Sequence, residues 1–115
     1  MTESANIFGR IPLCLPTELF ETLAHKGAVR IERILSHGQA TPEGEWYDQD
    51  QDEWVLLLAG SAGLLFEGEP GPRSLMAGDY LMIPARRRHR VAWTSTSETT
   101  IWLAVHIACL GKDIP

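Results

Sequence analysis

The sequence predicts an all-β fold, a sandwich or a small barrel, with one short helix near its start. Two observations support this class: after residue 28 apolar segments of strand length follow one another, and glycine, proline or polar turns separate them about every 8–12 residues. With 115 residues, 44% hydrophobic and 22% charged, the chain is long enough for one hydrophobic core. Its composition is that of an ordered globular domain.

The segment LPTELFETLAHKGA has the only helical pattern in the chain. Thr17 is suited to cap a helix, the apolar residues after it recur at helical spacing, and Gly27 is suited to end it. We therefore predict two parts: an N-terminal extension with a short helix over residues 1–27, and a barrel over residues 28–110.

The rest of the chain has the pattern of strands and turns. Gly60-Ser61 separates two apolar segments and suits a tight hairpin, and Ala77-Gly78-Asp79 forms a second turn signal. The predicted strands lie in AVRIERILS, EWVLLLAG, AGLLFEGE, SLMAGDYLMIP, HRVAWTS and TTIWLAVHIA.

Charge is distributed unevenly along the chain. The net charge is −5, six acids fall between Glu43 and Glu53, and four of the ten cationic residues fall between Arg86 and Arg90. Nucleic-acid binding requires clustered positive charge over a broad surface, and a run of five residues is too small for it. We expect a small-molecule ligand, no nucleic acid and no membrane, since no apolar run approaches the roughly 20 residues of a bilayer span.

Two further features bear on cellular location. MTESANIFGR lacks the basic start and apolar core of a secretory signal. Cys14 and Cys109 lie far apart among apolar neighbours, in no metal-binding spacing, so we predict buried free thiols. A cytoplasmic protein is expected.

The acidic stretch YDQDQDE allows three interpretations: a calcium loop, a solvated turn, or one wall of a metal or substrate pocket. Asp48, Asp50 and Asp52 match the opening of an EF-hand loop. The match then fails, because Glu53 stands where a glycine makes the sharp turn and Ala59 where a glutamate closes the site. The calcium interpretation is therefore rejected.

Two spaced blocks explain this stretch better. Glu53, six residues and Gly60 form the first block; Gly78, five residues, Pro84, four residues and His89 form the second. These blocks resemble the paired motifs of the cupin superfamily, H-x-H-x(3–4)-E-x6-G and G-x5-P-x-G-x2-H-x3-N. The resemblance implies a double-stranded β-helix, the jelly-roll barrel of that superfamily, with the predicted helix outside it.

The departures from the cupin motifs fall at the metal ligands. A full cupin site offers three histidines and one glutamate to a transition metal, and only Glu53 and His89 remain here. In the second motif Arg86 replaces glycine and Trp93 replaces asparagine. The first motif's two histidines are replaced by Tyr47 and Gln49 with the shorter spacing, or by Trp46 and Asp48 with the longer one.

The resemblance implies a site at the barrel cavity. Gln49, Glu53 and His89 would hold a divalent transition metal, Zn, Ni, Fe or Mn, and Tyr47 would be placed for proton transfer. The alternative is a metal-free pocket in which Glu53 and His89 form a hydrogen-bonded pair, since metal sites usually need at least three protein ligands. In either case we expect the aspartates of YDQDQDE to stay hydrated.

The candidate substrate-binding residues are Arg86, Arg87, Trp93 and His106. Arg86 and Arg87 could form the planar fork that binds a carboxylate or phosphate at the pocket mouth, or they could belong to a solvated turn. Trp93 and Trp102 would line the cavity and His106 would approach it; otherwise these residues belong to the core.

Three functions remain open from the sequence. The first is a metal-dependent dioxygenase, isomerase or lyase acting on a small polar or anionic metabolite, and the second a non-catalytic, metal-free small-molecule binder. The third is a barrel kept for dimerisation. The cupin resemblance implies a homodimer, with NIFGRIPLCLP supplying a pairing strand.

Overall fold

A computed structural model describes residues 3–109 as an all-β domain of eight strands, which confirms the predicted fold class. Across these residues no helix is long and apolar enough to cross a membrane. The strands are β1 (Leu19–Lys26), β2 (Val29–Ser36), β3 (Gln51–Ala59), β4 (Ser61–Phe66), β5 (Arg73–Met76), β6 (Tyr80–Ile83), β7 (His89–Thr94) and β8 (Thr100–Ala108).

The strands form two antiparallel sheets. One has the order β1-β2-β8-β3-β6 and the other the order β5-β4-β7. Strands β3 and β4 therefore belong to different sheets, and the hairpin predicted at Gly60 is wrong. Gly60 instead carries the chain from one sheet to the other in a single residue, with φ of 82°.

The core lies between the sheets because strand residues alternate between faces. Leu57 and Ala62, on either side of the crossing, are fully buried. Most of the predicted strand segments supply apolar side chains to this layer, which packs the two sheets together. Its buried members are Val55, Leu57, Ala62, Leu64, Phe66, Leu75, Ile83, Trp102 and Ala104.

The predicted N-terminal helix is wrong, because its residues form the edge strand β1. Phe20 pairs with Ile34 of β2, and the register shifts by one residue between Thr22 and Ala24. The bulge inserts one extra residue into the strand, so the apolar residues of β1 do not follow strict alternation. Their spacing of three to four resembles a helical pattern. Backbone pairing with β2 outweighs the weak local helix preference.

Two further predictions concern the termini. In the single chain, residues 6–16 form turns, bends and irregular backbone, and their pairing between two copies stays a prediction. Cys14 and Cys109 are free, as predicted, but both are exposed and not buried. The domain boundaries remain predictions, and residues 1, 2 and 110 of the predicted parts lie outside the described residues.

Candidate functional site

A cavity of about 260 Å³ opens between the two sheets. Apolar side chains from both sheets form its interior, and polar side chains gather on part of its wall. The polar members include Tyr47, Gln49, Glu53, His89 and His106, all five of them predicted site residues. The other lining residues are Glu18, Phe20, Arg30, Glu32, Ile34, Val55, Leu64, Ile83, Val91 and Trp102.

Glu53 and His89 meet in this cavity although they are remote in the chain. Glu53 lies on β3 between Ile83 of β6 and His106 of β8. His89 opens β7, in the opposite sheet, paired with Phe66. Both side chains are buried, and His89 Nε2 lies 3.9 Å from Glu53 Oε1.

The imidazole of His89 is held in one orientation. Its Nδ1 lies 2.8 Å from the Arg87 carbonyl oxygen, and because a carbonyl oxygen only accepts, Nδ1 carries the hydrogen. In the neutral ring Nε2 therefore has the free lone pair, on the side of Glu53. The ring of Tyr47 stacks on His89, with centroids 5.4 Å apart.

The backbone at the start of the acidic stretch is hydrogen-bonded to the start of β7 and to the turn that precedes it. Tyr47 N donates to the His89 carbonyl at 2.7 Å, and Arg86 N donates to the Gln49 carbonyl at 2.7 Å. This pairing places Gln49 over the cavity, where its Nε2 donates to Glu53 Oε1 at 2.9 Å. Backbone bonds thus set the position of two predicted site residues.

The environment of Tyr47 keeps its phenol protonated. Burial, followed by the negative charges of Glu18, Glu53 and Glu32, raises the pKa of Tyr47 above its usual value of 10.0. At neutral pH the group is a hydrogen-bond donor and acceptor. A phenolate ligand is disfavoured in this position.

The aspartates of the acidic stretch behave differently from one another. Asp48 and Asp50 are exposed, as predicted. Asp52 is half-buried, and its Oδ1 accepts a hydrogen bond of 2.8 Å from Ala85 N. The prediction that all three stay hydrated is therefore wrong for Asp52, which fastens the same turn.

Arg86 and Arg87 do not line the cavity, so their predicted place at its mouth is wrong. Arg86 Nη1 lies 3.3 Å from Asp48 Oδ1 at the exposed surface, and Arg87 Nη1 donates to the Glu67 carbonyl at 2.8 Å. Arg86 also has φ of 67°, the left-handed conformation that glycine tolerates best. This is the position where the cupin motif has its glycine.

Trp93 also lies outside the cavity, contrary to the prediction. Strict alternation from His89 would turn it inward, but β7 pairs Val91 with Leu64 and Trp93 with Gly63. The extra residue between them is a β-bulge that reverses the facing of Trp93. Its indole occupies the space next to Gly63 that any larger side chain at that position would need.

A second polar cluster on the cavity wall joins the predicted His106 to Arg30 and Glu32, which were missed from the sequence. His106 Nε2 donates to Glu32 Oε1 at 3.0 Å, and Arg30 Nη1 donates to Glu32 Oε2 at 2.7 Å. Arg30 and Glu53 flank His106 in neighbouring strands. Charged residues in AVRIERILS suggest a solvent face, yet Arg30, Glu32 and Ile34 form the face that borders the cavity.

The donor set does not fit a resident transition metal. Glu53 and His89 provide one carboxylate and one imidazole, and within residues 3–109 no three His, Cys, Asp or Glu side chains lie close enough to share an ion. Gln49 presents its amide NH₂ to Glu53, and Tyr47 is a phenol. Two strong ligands fall short of the three that such sites need.

Comparison with known proteins supports the fold. A crystal structure of a candidate mannose-6-phosphate isomerase from Ralstonia eutropha JMP134 is 48% identical, with a TM-score of 0.90 over 94% of this chain and 100% of that chain. A cupin superfamily protein from Desulfitobacterium hafniense DCB-2 is 21% identical, with a TM-score of 0.70 over 86% of this chain and 84% of that one. The chain has the fold of the cupin superfamily.

A more distant cupin extends this likeness. An RmlC-like cupin with a double-stranded β-helix fold from Methanocaldococcus jannaschii is 15% identical, with a TM-score of 0.68 over 94% of this chain and 93% of that chain. At this identity the likeness concerns the fold alone. No family model and no curated protein sequence matches the chain.

Proposed function

We propose that this cupin binds a small, uncharged, hydroxyl-bearing metabolite in its cavity, without a resident transition metal. The observation that carries the proposal is the convergence of Glu53, Gln49, His89 and Tyr47 on the wall of one otherwise apolar cavity. A cavity of about 260 Å³ lies just below the roughly 300 Å³ at which pockets for drug-sized ligands begin. The ligand is therefore small.

The ligand's charge follows from the lining. Within residues 3–109, Glu18, Glu32 and Glu53 face the cavity against one guanidinium, Arg30, so an anion would meet net repulsion. A hydroxyl group both donates and accepts, and it can satisfy a carboxylate and a guanidinium alike. A polyhydroxylated ligand suits this mixture, and Trp102 offers an aromatic surface for its apolar side.

The name of the Ralstonia eutropha relative suggests a sugar phosphate as substrate. That ligand would need a free cation in the cavity, because phosphate is bound by arginine or lysine or by helix N-termini. Arg30 is already engaged by Glu32 at 2.7 Å, and Arg86 and Arg87 lie outside the cavity. The sugar part of such a ligand fits the lining better than its phosphate.

Binding of D-mannose tests the proposal. In a titration followed by amide NMR shifts, we expect shifts at Glu53, His89 and Trp102, and an affinity at least tenfold lower in Glu53→Gln. The reason is the loss of a charged acceptor, a contact worth about 1.5–3 kcal/mol when made by hydrogen bonds.

Asp50→Asn is the matched control, because it makes the same chemical change at an exposed position of the same segment. It should leave the affinity unchanged. Equal losses in Glu53→Gln and Asp50→Asn would contradict the assigned site. Failure of wild-type protein to bind D-mannose, D-glucose and D-fructose would contradict the ligand class.

Proton transfer is a second candidate function, favoured by the orientation of His89. Its Nε2 lone pair beside Glu53 has the arrangement of a general base that removes a proton next to a carbonyl group. Separate samples of protein and sugar in D₂O, followed by the proton spectrum of the sugar, report this directly. Deuterium entering carbon 2 of the sugar, and lost in His89→Gln, supports catalysis; the absence of exchange leaves the chain a binder.

We further propose a homodimer formed through the outer face of the larger sheet. Register places Trp54 beside Met82 and Val105, and Leu56 beside Tyr80, so apolar side chains lie together on the face opposite the cavity. Apolar patches of this kind mark protein interfaces, and a second copy of the chain offers the same patch for a symmetric contact.

The mass in solution tests the dimer. By light scattering the wild type should have twice the chain mass of 12.8 kDa, and Tyr80→Glu, at a residue 66% exposed in one chain, should be monomeric. Met76→Glu is the control, because Met76 is 68% exposed on β5 of the other sheet. A monomeric wild type would refute this assembly.

A further inference from the structure

Glu32 is the centre of a charge network that borders the cavity. Its Oε1 accepts a hydrogen bond from His106 Nε2 at 3.0 Å, and its Oε2 accepts one from Arg30 Nη1 at 2.7 Å. The residue is 8% exposed, so these partners replace most of the water that a carboxylate would otherwise bind. Both oxygens of the carboxylate are engaged within the protein.

Stability alone does not explain this network. Such an ion pair seldom stabilises a fold more than apolar side chains of the same size would, because the carboxylate loses its hydration while the arginine side chain, 31% exposed, keeps part of its own. Two positions along β2, Ile34 occupies the same face with an apolar side chain and packs against the core. The charges at Arg30 and Glu32 therefore call for a role in the cavity itself.

Among residues 3–109, Arg30 is the one guanidinium that lines the cavity, and no lysine of that range lines it. It is the group to which an anion would bind, since arginine recognises phosphate and carboxylate with a planar fork. Glu32 cancels that charge at 2.7 Å. The donors of Arg30 that do not face Glu32 stay suited to an uncharged oxygen, such as a hydroxyl or carbonyl.

We propose that Glu32 is a specificity-determining residue, which excludes phosphorylated and other anionic ligands from the cavity by neutralising Arg30. The proposal deepens the proposed function, on which it rests for the class of ligand accepted. In the wild type an anion meets Glu18 and Glu53, and no other arginine or lysine within residues 3–109 lines the cavity to offset them. An uncharged ligand meets no such repulsion.

Inorganic phosphate is the probe, because its use requires no knowledge of the natural ligand. In phosphate titrations at pH 7.5 followed by amide NMR shifts, Glu32→Gln should bind phosphate in the cavity at least tenfold more tightly than the wild type. Adding Arg30→Met to that variant should remove the gain. A purely structural role for Glu32 predicts a loss of stability and no gained ligand.

Glu67→Gln is the matched control, because it releases Arg88, which Glu67 binds at 2.7 Å on the exposed surface. It should not create phosphate binding in the cavity. A folded Glu32→Gln that binds phosphate no more tightly than the wild type overturns the proposal. If that variant does not fold, wild-type protein decides: phosphate binding that shifts the cavity residues overturns the proposal, and its absence supports it.

These outcomes are separate from those of the proposed function. Sugar binding can fail in the wild type while Glu32→Gln gains phosphate, which would leave the charge exclusion intact and refute the ligand class. Sugar binding can also succeed while phosphate binding is unaffected by Glu32→Gln. That result would refute the exclusion alone.

Discussion

Replacing Gly60 with alanine is expected to lower the free energy of unfolding by about 3 kcal/mol, with a fall in Tm of roughly 10 °C. Gly60 has φ of 82°, which side chains tolerate poorly. A Cβ at this position would also lie 2.6 Å from the backbone Cα of Thr100. Thr100 is fully buried at the start of β8 and has little freedom to move away.

Gly78→Ala separates the two contributions to this loss. Gly78 has φ of 97°, but a Cβ there would meet no atom within 4 Å, so only the backbone penalty of about 1 kcal/mol applies. Urea denaturation of both variants measures the difference. Equal losses would show that the chain at the sheet crossing relaxes around Thr100, and that its close packing there is not what requires glycine.

The strands and the central pair of the site were accessible from the sequence. Glu53 and His89 are 36 positions apart, and only their spacing from Gly60, Gly78 and Pro84 linked them. The spacing works because each glycine marks a turn between the two sheets, so both side chains start from fixed points on facing strands. The spacing within a motif can therefore indicate which remote residues meet in the folded chain.

Trp93 and Phe20 were assigned wrongly for a common reason. Trp93 was assigned by strict alternation from His89, and one unpaired residue in β7 reversed it. Phe20 was assigned to a helix because a bulge in β1 changed the spacing of its apolar neighbours. Bulges depend on the pairing of two strands and leave no clear mark in either strand's own sequence.

The charged cluster of Arg30 and Glu32 was missed for a different reason. Alternating charged residues on a strand usually face solvent, so the sequence of β2 gives no sign that Arg30 and Glu32 border a cavity. In the folded chain the N-terminal segment covers part of the outer face of β2, where Leu35 is fully buried and Arg33 nearly so. Both faces of this strand are therefore covered, and simple amphipathicity cannot assign them.

The charge of the cavity separates this chain from the metal sites that the full cupin motifs describe. Where two histidines of the cupin motif would stand, Tyr47 and Gln49 lie on the cavity wall, and the phenol and the amide NH₂ add hydrogen-bond donors. The same positions that would have bound a cation now suit the oxygens of an uncharged ligand. The same two residues thus remove metal ligands from the cavity wall and add hydrogen-bond donors to it.

Replacing Arg33 with methionine is expected to destabilise the fold by about 3 kcal/mol and to release the N-terminal segment from the outer face of the larger sheet. Arg33 is 5% exposed. Its Nε donates to Glu21 Oε1 at 2.6 Å, and its Nη1 donates to the carbonyls of Ile7 and Gly9 at 2.8 Å and 2.6 Å. Methionine fills similar space and makes none of these bonds.

Hydrogen exchange locates the effect. Amides of residues 6–10 should exchange at least tenfold faster in Arg33→Met, while those of β3 and β8 should change only with global stability. Arg88→Met is the control, since its exposed pair with Glu67 contributes at most about 1 kcal/mol. Unchanged exchange at residues 6–10 in Arg33→Met would mean that apolar packing holds the segment in place. The guanidinium would then serve chiefly as the hydrogen-bond donor to Glu21. The energetic loss would then be small, because Glu21 is partly exposed and can be rehydrated.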